Sequence, residues 1–288
     1  MTLLNIIILA IVQGLAELLP VSSSAHVVVA EKLLGLDPSS PPMTLLLVML
    51  HTGTMFAVIV YFWRQWQAAY FQSTRTFKTF AVRVIVATAL TAVIGEAIIK
   101  IIEMTVLRAV PHSEIEDLFG HLEFIAPALA AVGLLILGAG IVENRRSQRA
   151  GSDPHNLTLQ RASVIGMIQG LCLPFRGFSR SGATISAGML MGLAKSRAEA
   201  FSFALAVVIT PPVVVREVLR LVRLQHVGGG DLSSFAFLSV FGAFVAFIAG
   251  LLALKWLSRW LETGRWYLFG IYCLVAAGGV ALLHHAGY

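Results

Sequence analysis

The stretch Ile11–His26, "IVQGLAELLPVSSSAH", decides how this chain is built. It opens as an apolar run suited to lipid. Then Glu17, Pro20, the serines Ser22, Ser23 and Ser24, and His26 follow in close succession. A charged side chain at the centre of a bilayer costs at least about 2.5–3.5 kcal/mol, so a glutamate there needs a reason. Pro20 stops the first helix, and any of the three serines is suited to cap a second one. Irregular backbone at membrane depth survives only where it is buried in protein or lines a wet cavity. The segment therefore reads as a short helix, a polar break and a second short helix, a re-entrant hairpin.

A second stretch repeats the pattern. "MIQGLCLPFRGFSRSG" (Met167–Gly182) aligns on Ile11–His26 without a gap, placing Gln169-Gly170-Leu171 on Gln13-Gly14-Leu15 and Ser179 on Ser23. The two interrupted segments, Thr2–Leu36 and Leu159–Lys195, are each followed by three apolar runs of spanning length. These runs are Met43–Trp63, Phe80–Ile102 and Phe124–Val142, then Ala198–Val222, Ser234–Leu257 and Trp266–Leu283; a span needs about 20 residues. Each unit then crosses the membrane an odd number of times, so the second copy is inverted. The expected fold is an all-α polytopic membrane protein with an inverted-topology repeat. Each half is a re-entrant helix hairpin plus three transmembrane helices. Residues 1–288 form one membrane domain, with repeats at about 1–143 and 159–288.

Composition agrees. The chain is 57% hydrophobic and 12% charged, about half the charge of a soluble domain. No long polar linker divides it, and its start lacks the basic region and cleavage site of a signal peptide. The net charge of +6 sits mainly in short loops between apolar runs, which excludes nucleic acid as a partner. Arg64, Arg75 and Lys78, then Arg145, Arg146, Arg149 and Arg161, then Arg259 and Arg265 fall on one side, assigned to the cytoplasm. The connection carrying Glu103, Glu114, Glu116 and Asp117 falls opposite, and both termini lie outside. Cys172 and Cys273 have no metal-ligand spacing and read as packing residues.

The two breaks carry the chemistry. Gln13 and Glu17 share a helix face at i, i+4. His26 lies in the first turn of the next helix. In the second break, Ser179, Arg180, Ser181 and Gly182 lead into a helix containing Thr184. Each break presents free N–H groups at a helix N-terminus, an anion site. Arg180 adds a planar cation suited to phosphate oxygens, and Gly177 and Gly182 permit close backbone approach. Paired interrupted segments in inverted halves point to a site near the midplane, here one for a phosphate headgroup on a lipid tail. Plainer readings stand beside this one: Glu17 as a structural carboxyl, His26 as a packing residue, the serines as caps. His51 in "LHTGT" either faces the cavity or packs. Ser202 and Thr210 read as packing or interhelical hydrogen bonds. An inverted repeat of this kind also suits a carrier that moves such a lipid phosphate without cleaving it.

At these residues the chain resembles a known family. "GLAELLPVSSSAH" and "GFSRSGATISAGMLMGLAKSRAEAFSFALA" look like the two signature motifs of the undecaprenyl-diphosphate phosphatase family, the bacitracin-resistance type. The resemblance implies an inner-membrane hydrolase that converts undecaprenyl diphosphate to the monophosphate, recycling the carrier for cell-wall polymers and conferring bacitracin resistance. It implies a divalent cation, Mg2+ or Ca2+, and a site open to the periplasm. It carries function onto Glu17, Ser23, His26, Ser179, Arg180 and Thr184. Glu17, Ser23, His26 and Arg180 are the catalytic candidates. Ser22, Ser179, Ser181, Gly182, Thr184 and Arg176 are the substrate-binding candidates. Glu17 and Gln13 are the metal candidates. The attacking group is left open between Ser23 activated by His26, His26 itself, and water activated by His26. Two positions depart from the family pattern: Gln13 stands where a second glutamate is usual, and Arg176-Gly177 where Pro-Gly is usual. A catalytically weakened lipid-binding relative is therefore a further alternative. Membrane lipids are expected partners, and a homodimer is one option for the assembly.

Overall fold

The computed structural model describes residues 2–37, 40–105, 121–147, 157–228, 232–262 and 264–287. Glu114, Glu116, Asp117 and Arg149 lie outside the described residues. Within them every regular element is an α-helix. Six are long and apolar enough to cross a membrane: α3 (Pro41–Tyr70), α4 (Thr74–Thr105), α5 (Leu122–Ser147), α8 (Lys195–Gly228), α9 (Leu232–Glu262) and α10 (Tyr267–His285). They fall on the six runs read from the sequence. Four short helices make up the interrupted segments: α1 (Leu3–Leu18) and α2 (Ser23–Leu33), then α6 (Leu159–Cys172) and α7 (Arg180–Leu190). At about 1.5 Å per residue, the 11 residues of α2 and of α7 reach roughly 16 Å, too short to span.

The breaks form where the sequence removes helix and supplies caps. After α1, Leu19 turns extended, and Ser22 takes φ 69° in the left-handed region that a side chain rarely adopts. Ser22 then caps α2 by accepting from the Ala25 N–H. In the second break, Gly177 (φ 97°) makes the corresponding turn, and Ser179 caps α7 by accepting from Gly182 N–H at 3.1 Å.

Glycines set the crossings around these breaks. A Cβ on Gly14 would lie 2.6 Å from Ala249 Cβ and 2.8 Å from Ala246 O, so α1 packs directly on α9. A Cβ on Gly170 would lie 2.8 Å from Thr91 O, so α6 packs in the same way on α4. Such small-residue contacts let membrane helices approach to backbone distance. Beneath the breaks, one apolar cluster joins Phe62, Trp66, Phe201, Phe203 and Trp266. A second, with Ile6, Leu9, Val27, Leu46 and Leu50, holds α1 and α2 against α3. Both breaks are thereby fixed face to face inside the bundle.

Candidate active site

Glu17 is the centre of the cluster. The last turn of α1 presents it, 14% exposed, across the break to the first residue of α7. Arg180 Nη2 donates to Glu17 Oε1 at 2.7 Å. Ser23 Oγ donates to Glu17 Oε2 at 2.5 Å, and Gln13 Nε2 reaches the same oxygen at 3.2 Å. His51 Nε2 stands 3.6 Å from it, which brings His51 into the cluster. His51 Nδ1 donates to Leu47 O at 2.8 Å. One carboxylate thus joins both breaks, through a charge-assisted pair to one and a short hydroxyl bond to the other.

Arg180 is only half used. Its Nη1 is buried and has no hydrogen-bond partner. A buried guanidinium donor left unpaired is costly, and its geometry suits a second, bidentate contact to an anion. The N-termini of α2 and α7 meet beside it, both favourable to negative charge.

His26 is engaged elsewhere. A carbonyl only accepts, so the 2.7 Å contact to Ser22 O is a donation from His26 Nδ1. That leaves Nε2 to accept the Tyr272 O–H at 2.6 Å, with the two rings stacked 5.7 Å apart. In this arrangement the group bonded to the Ser23 hydroxyl is the Glu17 carboxylate, and both ring nitrogens of His26 are engaged with Ser22 O and Tyr272. Tyr272 is the residue sequence reasoning missed. It lies 246 positions from His26, in an apolar span where a tyrosine carries no motif signal.

The remaining candidates mostly build the frame. Ser179 and Ser181 are buried and their hydroxyls lie 3.4 Å apart. Ser181 donates to Leu19 O across the two breaks. Ser22 Oγ lies 3.3 Å from Ser24 Oγ, and Ser24 Oγ accepts from Gly177 N–H at 3.2 Å, a second tie between the breaks. Thr184 is fully buried and bonds Arg180 O and Ser202 Oγ at 2.8 and 2.6 Å. It ties α7 to α8, and Ser202 makes the interhelical bond expected of it. A Cβ on Gly182 would come 2.7 Å from Ile136 Cδ1, so α7 begins hard against α5. Arg176 lies in the second break, half-buried. Thr210 bonds Ala206 O of its own helix. Cys172 and Cys273 are free and buried.

The donor set also limits how a metal is held. Among the described residues no three His, Cys, Asp or Glu side chains stand together as a ligand cluster. Both oxygens of Glu17 already carry partners. One carboxylate with a neighbouring amide and hydroxyl does not make an all-protein cage. It does fit a hard cation shared with substrate phosphates, the common mode for Mg2+.

Comparison with known proteins bears on this site. The family model described as bacitracin resistance protein BacA matches residues 6–279. The chain is 54% identical over 287 residues to undecaprenyl-diphosphatase 2 of Acinetobacter baylyi, covering 98% of each chain. It is 33% identical over 282 residues to undecaprenyl-diphosphatase of Rhodopirellula baltica, again covering 98% of each. It is 34% identical over 282 residues to the Gluconacetobacter diazotrophicus protein of the same name, covering 96% of this chain and 95% of that one. With both motifs in place and the match running nearly end to end, the chain belongs to the bacitracin resistance protein BacA family.

Proposed function

We propose that the protein hydrolyses undecaprenyl diphosphate to undecaprenyl phosphate and inorganic phosphate, using the cluster around Glu17. The observation that carries this reading is the Ser23–Glu17–Arg180 arrangement, with Arg180 Nη1 buried and unpaired beside two helix N-termini. Family membership and the names of the relatives support the same reaction.

The diphosphate enters between the breaks. Arg180 turns its unpaired Nη1, and in part Nη2, to the phosphate oxygens, and the N–H groups of α2 and α7 share the remaining charge. Drawing Arg180 away from Glu17 raises the basicity of that carboxylate. Glu17 then takes the Ser23 proton. Ser23 Oγ bonds to the terminal phosphorus as the bridging P–O bond breaks, and undecaprenyl phosphate leaves. Water hydrolyses the phosphoserine, releasing inorganic phosphate and restoring the Ser23 hydroxyl. His26, anchored by Tyr272, fixes the start of α2 and so the position of Ser23. A divalent cation, Mg2+ or Ca2+, fits beside Glu17 with the Gln13 amide near it, where it would neutralise diphosphate charge. Positioning and charge stabilisation are the main demands of phosphoryl transfer.

The wider setting belongs to the same proposal. Each interrupted segment is a re-entrant hairpin, and the halves are inverted repeats. Exchanged packing supports this: α1 of the first half rests on α9 of the second, and α6 of the second on α4 of the first, with aligned Gly14 and Gly170 at the contacts. On this reading the breaks open toward the periplasm, as the family resemblance implies, and the loop charges favour both termini outside. The inner membrane is the location, and one chain supplies both breaks, so catalysis needs no second copy.

The test is release of inorganic phosphate from undecaprenyl diphosphate by purified protein in detergent, with Mg2+, Ca2+ or chelator, beside Glu17→Ala. Cation-dependent release lost in the variant is expected. Folded protein that binds the lipid and moves it across vesicles without releasing phosphate would replace hydrolysis with transport.

A further inference from the structure

A second cationic site stands at the far end of the bundle. The end of α3, the first three turns of α4 and the start of α8 border an open cavity of about 450 Å³. Arg75, Arg83 and Arg197 line it, with Thr76, Thr79 and the Tyr70 ring. Arg75, Thr79 and Arg83 follow one another at i, i+4, i+8 and share one face of α4. None of the described lining residues is acidic. Thr79 Oγ1 donates to Arg75 O at 2.9 Å and Thr76 Oγ1 lies 2.8 Å from Ser73 Oγ, so the guanidinium groups are what this cavity offers to the oxygens of a phosphate.

The surroundings indicate which phosphate. Tyr70 stacks on Phe80 at 3.8 Å, and Trp63, Phe71 and Phe77 stand exposed beside it. Aromatic side chains gather at the level of lipid headgroups. Basic pockets between membrane helices on the cytoplasmic side are suited to anionic headgroups, and exposed rings next to such a pocket give acyl chains an apolar surface. The walls are tied together: Trp66 Nε1 donates to Ala200 O at 3.1 Å and Gln65 Nε2 to Ser196 O at 3.4 Å. The site is separate from the Glu17 cluster. Gln65–Tyr70 lies 14–19 positions beyond His51 on the same helix, roughly 21–28 Å along its axis.

We infer that this cavity binds the phosphate headgroup of an anionic membrane lipid, at the end of the bundle opposite the Glu17 cluster. The bound headgroup bridges Arg75 and Arg83 of α4 to Arg197 of α8 and so staples the α3–α4 turn to α8. The inference does not depend on the hydrolase reading, since it uses none of those residues.

Native mass spectrometry of the full chain in neutral detergent, titrated with phosphatidylglycerol or phosphatidylcholine, tests it. The wild type is expected to hold phosphatidylglycerol at least about tenfold more tightly than phosphatidylcholine. Arg83→Gln/Arg197→Gln is expected to lose that preference while phosphate release at the distant site stays unchanged. Equal binding of the two lipids by the wild type would overturn the inference. So would an undiminished preference in the variant. Displacement of phosphatidylglycerol by millimolar inorganic phosphate would overturn the lipid assignment in favour of a soluble phosphate. If the double variant does not fold, Arg75→Gln, on an exposed side chain, serves instead: a weakened preference supports the inference and an unchanged one overturns it.

Discussion

Arg180 has two duties that separate experimentally. Its pair with Glu17 ties the breaks together, and its buried Nη1, which has no hydrogen-bond partner, is the donor that the proposed mechanism turns to substrate. Removing one preorganised donor to a reacting centre typically costs about 10²–10³-fold in turnover. Arg180→Ala is expected to fall by that much in kcat, measured as phosphate release, and Arg180→Lys is expected to recover only part of it, because an ammonium cannot make the forked contact. Turnover of Arg180→Ala near wild type would remove the clamp from the mechanism. The tie between Tyr272 and His26 invites a milder change. Tyr272→Phe keeps the stacked ring but removes the hydroxyl that occupies Nε2. If His26 serves by holding Ser23 in place, kcat drops severalfold and the pH profile changes, with thermal stability nearly constant. At this scale the sequence was legible for type and not for pairing. Glu17, Ser23, His26 and Arg180 all stand at the break, as their motifs indicated. The Ser23–Glu17 bond depends on how the chain doubles back over Pro20, which spacing alone does not reveal. Tyr272 depends on which face of α10 meets α2, and α10 is uniformly apolar in sequence.

Among the helices, close approach is what holds the breaks in register. Gly53 is the tightest case: a Cβ there would lie 2.1 Å from Ala243 O, where α3 crosses α9. Backbone cannot swing aside as a side chain does, so Gly53→Ala forces the helices apart. Overpacking of this kind costs about 1–3 kcal/mol. Gly138→Ala is the control, since nothing lies within 4 Å of its added methyl, and alanine in a helix is favoured over glycine by about 0.5–1 kcal/mol. Thermal unfolding in detergent is expected to show a lowered midpoint for Gly53→Ala and an equal or raised one for Gly138→Ala. Equal midpoints would mean that the α3–α9 contact is looser than described. The six spans were readable because apolar runs of about 20 residues have few other uses, and the breaks because Pro20 and "LPFRGFSRSG" interrupt two such runs. Helix ends were less readable. α3 continues past Trp63 to Tyr70, since Arg64, Gln65 and Gln67 favour helix as readily as loop.

For the whole molecule, the proposed inverted repeat makes a claim about sides. Residues near both termini face the periplasm, and the α3–α4 turn faces the cytoplasm. Cys172 and Cys273 are buried, so single cysteines introduced at the surface report topology against a low background. Thr2→Cys and Gly287→Cys are expected to react with an impermeant maleimide in intact spheroplasts, and Gln72→Cys only after lysis. Reaction of Gln72→Cys in intact cells would reverse the assignment. The proposed duplication rests on an ungapped alignment of two short stretches. The exchanged packing of α1 on α9 and α6 on α4 was not legible in the sequence, because it is fixed by glycine contacts between segments far apart in the chain.

The most direct measurement uses undecaprenyl diphosphate labelled in its terminal phosphate, incubated with the wild type and with Ser23→Ala. The wild type is expected to release the label as inorganic phosphate, with phosphoserine at Ser23 in the quenched protein, while Ser23→Ala leaves the label in the lipid. Release by Ser23→Ala at the wild-type rate would contradict the Ser23–Glu17 mechanism, and no release by folded wild type would contradict the hydrolase itself.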